Sequence, residues 1–170
     1  MSTGTATVKL TETSYAVLGL VNMCGPATPY TLKQAAQESI FHFWAIPHTQ
    51  LYTECARLAE ARLLDEEREE TGRRRRTYSL SKQGRKALDE WCADPEADMY
   101  ELRDPGLLKL FCGADPAAVA EAQLEKHKQR LERYEQITEL DLPEGVRLSV
   151  DGGIGHQREY VRFWSKLVKG

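Results

Sequence analysis

Between Pro47 and Trp91 the spacing of apolar residues changes period twice, and this constrains the fold more than any other feature of the chain. From Pro47 the stripe Leu51, Cys55, Leu58, with Ala59, returns every three or four residues, as one face of a helix must. After Leu63-Leu64 the pattern becomes extended. The acidic run over 65–70 and the segment RRRTYSL flank Thr71-Gly72, which reads as the tip of a hairpin. Ser81 can then cap a further helix, KQGRKALDEW, with Ala87, Leu88 and Trp91 inward. A helix, a two-stranded hairpin and a second helix have to share one core.

Upstream, two more helices are predicted. Residues 11–24 carry Tyr15, Leu18 and Val21 at helical spacing, start at the potential cap Thr11 and stop at Gly25-Pro26. Thr28-Pro29 places a cap ahead of proline at the first helical position and opens TLKQAAQES. An aromatic loop, IFHFWAI, leads into the Pro47 helix. Three helices, a hairpin and a fourth helix make a winged helix-turn-helix over residues 1–92.

Residues 94–106 contain two Asp-Pro breaks and read as a linker. Beyond it, GLLKLFC forms a short helix, and Asp115-Pro116 opens a long one to about Leu140 with Ala120, Leu124, His127, Leu131 and Tyr134 along one side. A last amphipathic helix is predicted over 157–168, with Tyr160, Phe163, Trp164 and Leu167 on one face. LDLPEGVRLSVDGGIG reads as a loop between them. The expected class is mostly α with a small β-hairpin wing, the second domain spanning residues 103–170. Faces as broad as Leu124, Leu131 and Tyr134, and Tyr160 to Leu167, are expected to be covered by a second copy in a homodimer.

The chain has 170 residues and a net charge of −3, which does not by itself suggest a polyanion as partner. The charge is unevenly placed: residues 1–92 hold 12 basic against 11 acidic residues, and residues 93–170 hold 11 against 15. A DNA reader needs positive charge only where it meets phosphate. Arg73, Arg74, Arg75 and Arg76 repel one another at the hairpin tip, an arrangement that suits a polyanion. Pairing with the acidic run can occupy some of them, and alternation along a strand limits how many share a face. On the Pro47 helix, His48, Thr49, Gln50, Tyr52, Thr53 and Arg57 form a polar face, and residues at the start of such a helix can reach base edges in the major groove.

Other function classes find little support. There is no Gly-rich phosphate loop, no H-E-x-x-H and no G-x-S-x-G, so an enzyme is not expected, nor a cofactor. Cys24, Cys55, Cys92 and Cys112 lack the C-x-x-C spacing of a metal or redox site. The small polar start MSTGTATVK is unlike a secretory signal and no apolar run suits a membrane span, so the expected compartment is the cytoplasm. The competing reading is a winged helix that binds another protein through the same polar face.

The pieces FWAIPHTQLY, RLAEARLL, GRRRRTYSLSKQGRKALDEW and LRDPGLLKLF, with the late Trp164, resemble the PadR family of bacterial transcription regulators, in its longer subgroup with a helical C-terminus. The resemblance spans most of the chain. It implies a dimeric regulator, usually a repressor, on a palindromic operator of double-stranded DNA, with Tyr52, its polar neighbours and the wing arginines at the DNA. It also implies a small aromatic or drug-like effector, for which Trp44, Trp91, Phe111 and Trp164 are the candidate pocket aromatics. Two positions depart from the pattern. Arg62 stands where the family ends its third helix with glycine, so the left-handed cap is expected to be absent or strained. Cys55 stands where a larger aliphatic is usual.

Overall fold

The computed structural model describes residues 8–40, 43–69 and 75–169. It divides into two units, residues 1–97 and 98–170. In the first unit α1 (Glu12–Cys24), α2 (Pro29–Glu38) and α3 (His48–Glu60) precede strands β1 (Leu64–Arg68) and β2 (Arg76–Leu80), and α4 (Lys82–Ala93) follows. The expected winged helix-turn-helix is present.

The helix starts lie where the caps put them. The Thr11 side chain accepts from the Ser14 amide while the Ser14 hydroxyl accepts from the Thr11 amide, a reciprocal pair that satisfies two otherwise orphaned donors. Thr28 caps α2 ahead of Pro29, and Ser81 caps α4 by accepting from the Gly84 amide at 2.9 Å. Val17, Leu18 and Val21 of α1, Leu32 of α2, Leu51, Cys55 and Leu58 of α3, Leu64 and Tyr78 of the hairpin, and Leu88 of α4 form one buried cluster. Burial raises the Cys55 thiol to about 12, as a small core side chain rather than a reactive one.

α3 ends in a left-handed cap built without glycine. Arg62 takes φ 60°, the Leu63 amide reaches back to the Leu58 carbonyl at 2.9 Å, and the Arg62 amide donates to Ala59 O at 2.9 Å. This is the six-to-one and five-to-two pairing of a Schellman motif. The cap is therefore present and strained. Arg62→Gly is expected to relieve it and raise stability by about 1 kcal/mol, net of the extra freedom glycine gives the unfolded chain. A urea titration of both proteins checks this, and a lower midpoint for the variant would refute it.

In the second unit, α5 (Pro105–Phe111), α6 (Pro116–Ile137) and α7 (Glu144–Lys169) carry the core. Asp104 and Asp115 cap α5 and α6 ahead of their prolines. The expected loop before residue 157 is instead helix: α7 runs 26 residues and takes in Gly152, Gly153 and Gly155. Packing explains it. Val150, Ile154, Gln157 and Trp164 continue one buried stripe, and a Cβ on Gly153 would come within 3.0 Å of the Tyr134 ring. The glycine lets α6 and α7 approach closely at a ring that a side chain would push away.

The α6–α7 pairing also corrects the burial argument for a dimer. Tyr134 (4% exposed) and Trp164 (fully buried) lie inside the single chain, Tyr134 with Val150 and Ile154, Trp164 with Val119 and Ala120. Leu124, Leu131, Tyr160 and Leu167 are partly buried around them, and only Phe163 of the set is exposed. These faces are covered within one chain because α6 and α7, 22 and 26 residues long, pair with each other along their length. No described helix is long and apolar enough to cross a membrane.

Candidate nucleic-acid interface

α3 separates its two faces cleanly. Leu51, Cys55 and Leu58 point into the core, while His48, Thr49, Gln50, Tyr52 and Thr53 are exposed. The His48 and Tyr52 rings meet at 4.5 Å, one turn apart. Thr53 donates its hydroxyl to the Thr49 carbonyl at 2.9 Å, which leaves its methyl group and the hydroxyl lone pairs facing outward. Pro47 sits at the cap with no side-chain hydrogen bond, and the first turn holds no acidic residue. The first amides of α3 are thus open donors at the positive end of the helix dipole.

Arg57 has a different role from the polar face it was grouped with. Its Nε donates to Glu54 at 2.9 Å, one terminal nitrogen donates to Glu54 at 2.6 Å and to the Ser14 hydroxyl at 2.9 Å, and the other donates to the Lys9 carbonyl at 3.3 Å. The guanidinium is directed at the start of α1, tying α3 to it. The pattern of the sequence could not reveal this, because Ser14 lies 43 residues away.

The hairpin has two unlike faces. Its antiparallel register pairs Leu64 with Leu80, Glu66 with Tyr78 and Arg68 with Arg76 on one face, and Asp65 with Ser79 and Glu67 with Thr77 on the other. The Glu69 amide donates to the Arg75 carbonyl at 3.1 Å, carrying the ladder one pair further. The first face begins in the core at Leu64 and Tyr78 and ends in exposed arginines; the second is exposed and acidic. Tyr78 also exchanges both backbone hydrogen bonds with Ala27, which fastens the hairpin to the segment before α2.

Glu66 sits between Arg68 and Arg76 on the inner face. Its carboxylate pairs with Arg68 Nε and lies 3.9 Å from Arg76. The hydrogen bond from Arg68, helped by Tyr78 and by both positive charges, outweighs burial and holds this carboxyl below the ordinary carboxylate range. The cross-hairpin pairing thus claims Arg76. Arg75 is exposed, and Arg73 and Arg74 lie outside the described residues.

The four aromatics proposed for an effector pocket divide between the units. Trp91 stacks on Tyr15 at 4.6 Å with the planes 8° apart, and Trp44 is partly exposed in the segment before α3. In the second unit Trp164 is buried in the core, while Phe111 is 87% exposed at the edge of an open groove of about 500 Å³ that Leu102, Leu107 and Leu108 also line. Among the described residues no group of His, Cys, Asp and Glu could hold a metal ion.

Residues 17–90 match the family described as transcriptional regulator PadR-like. Three solved structures show the same fold at low identity. PadR of Bacillus subtilis in complex with operator DNA is 20% identical with a TM-score of 0.80, over 94% of this chain and 98% of that one. The PadR-like regulator BC1756 of Bacillus cereus is 18% identical with a TM-score of 0.78, over 92% and 95%. Bacillus subtilis PadR in complex with p-coumaric acid is 20% identical with a TM-score of 0.71, over 91% and 92%. No curated protein matches the sequence.

Proposed function

From the premise that this chain, through residues 17–90, belongs to the transcriptional regulator PadR-like family, we propose that it regulates transcription by binding DNA, with α3 in the major groove and the hairpin on the flanking backbone. One observation carries the reading: five exposed polar side chains, none of them acidic, project from a helix whose first amides have no side-chain cap. Such a surface suits a base edge beside a phosphate. Gln50 can pair with adenine through two hydrogen bonds, Thr49 and Thr53 offer a hydroxyl and a methyl, and open amides favour a phosphate oxygen. A solvated face on a protein of net charge −3 has no need to exclude acid from this patch.

The regulator reads a palindromic operator as a homodimer, its two third helices about one DNA turn, roughly 34 Å, apart. Supporting the second copy are apolar side chains left exposed in the second unit: Leu108, Phe111, Leu148 and Phe163. It acts as a repressor released by a small aromatic or drug-like effector. The complexes of Bacillus subtilis PadR with operator DNA and with p-coumaric acid support an operator and a small aromatic ligand as the two partners in that reading.

The test is a salt titration of binding to duplex DNA from the region upstream of the chain's own coding sequence. Gln50→Ala is expected to cost about tenfold in preference for that duplex over a scrambled one, within the range of a lost bidentate base contact. Arg73→Ala combined with Arg74→Ala is expected to weaken both duplexes alike and flatten the salt dependence. Binding indifferent to all of these changes defeats the assignment and leaves the protein-binding winged helix in its place.

A further inference from the structure

We propose that Glu66 is a built-in restraint on the wing: it holds Arg68 and Arg76 in ion pairs that DNA phosphates must displace, and so sets how tightly and how salt-dependently the protein binds a duplex. The inference rests on the DNA-binding reading above and adds to it a residue that opposes binding.

The register identifies the face of the hairpin that can meet phosphate. Asp65 and Glu67 on the outer face have only Ser79 and Thr77 opposite them, and an acidic surface repels a polyanion. The inner face ends in Arg68 opposite Arg76, two like charges side by side, an arrangement that is unfavourable in a sheet unless an anion lies between them. In this protein the anion is Glu66, one pair nearer the core, with its side chain 16% exposed while Arg68 and Arg76 are 65% and 48% exposed. Both guanidiniums therefore remain open to solvent on the side away from Glu66. A phosphate can approach them there, but it competes for positive charge already shared with the carboxylate.

Glu66 is more than one acid among several. Glu67 is its sequence neighbour and carries the same charge, yet the ladder turns it to the opposite face. If the inner pairs are the restraint, neutralising Glu66 and neutralising Glu67 have different effects, although each changes the net charge equally. A purely long-range repulsion makes no such distinction.

The experiment measures binding of wild type, Glu66→Gln, Glu67→Gln and the Arg68→Gln, Arg76→Gln double variant with and without Glu66→Gln. Each is titrated against a random-sequence duplex over a range of salt. Glu66→Gln is expected to bind roughly three- to tenfold tighter at low salt, with a slope steeper by about one to two, given about 0.9 per phosphate neutralised. Glu67→Gln changes the slope little, and the gain from Glu66→Gln vanishes when both arginines are glutamine. An unchanged affinity and slope for Glu66→Gln, equal effects at Glu66 and Glu67, or a gain that survives loss of the arginines overturns the restraint while DNA binding itself stands. Absence of salt-dependent binding by wild type overturns both. Should Glu66→Gln fail to fold, Glu66→Asp, whose shorter side chain releases the 3.9 Å contact with Arg76 first, must shift affinity the same way by a smaller factor.

Discussion

Gly84→Ala is expected to lower the melting midpoint of the N-terminal unit by on the order of 10 °C, from a cost of about 3 kcal/mol. The added Cβ would lie 2.0 Å from the Leu63 carbonyl oxygen and 2.9 Å from its carbon, with Leu80 Cδ1 at 3.1 Å. Backbone cannot yield as a flexible side chain does. The obstacle also sits within a dense local network. The Ser81 hydroxyl donates to the Arg62 carbonyl at 2.7 Å and accepts from the Gly84 amide, and the Ser81 amide donates to Leu63 at 3.3 Å. Moving α4 outward to make room therefore disturbs the strained α3 cap and Leu63, the residue before β1, together. Gly152→Ala is the control: it lies in α7 with nothing within 4 Å of an added Cβ, and is expected to stabilise by up to about 1 kcal/mol through helix propensity. Thermal unfolding followed by circular dichroism compares the two, and an unchanged midpoint for Gly84→Ala refutes the packing argument.

Local rules made part of this molecule readable. Thr11, Thr28 and Ser81 announce the starts of α1, α2 and α4 because a cap satisfies amides only a few residues away. The α3 stripe and the change to extended structure at Leu64 were equally plain. What escaped was set by distant partners. The glycines at 152, 153 and 155 read as a loop by propensity, yet the stripe Val150, Ile154, Gln157 and Trp164 was already present at helical spacing, and the Tyr134 ring across the helix pair explains Gly153. The polar face of α3 was visible from its period, but not that Arg57 turns away to Ser14. The wing arginines were conspicuous as a run. The register alone revealed that Arg76 shares a face with Arg68 and Glu66.

Arg57→Ala is expected to cost about 2 kcal/mol of stability at neutral pH, less than a fully buried pair because the guanidinium is 34% exposed. Burial by itself raises the Glu54 carboxyl, but hydrogen bonds from Arg57 and Ser14 outweigh it and hold the group below its usual range. A depressed folded value contributes stability that is present above the unfolded pKa and lost as pH falls through the folded one. Without the guanidinium, burial dominates and the carboxyl moves above its unfolded value, so the variant instead loses stability as pH rises. The two curves should therefore lie furthest apart at neutral pH and converge as pH falls through the ordinary carboxylate range, about 4, and below it. Urea titrations across that interval measure the gap, and one independent of pH shows that the Glu54 pair is not the cause. The same variant, studied where it remains folded, also decides which surface Arg57 belongs to. A phosphate contact predicts a salt slope flatter by about 0.9. A side chain spent on Glu54, Ser14 and the Lys9 carbonyl predicts an unchanged slope, and that is the result expected.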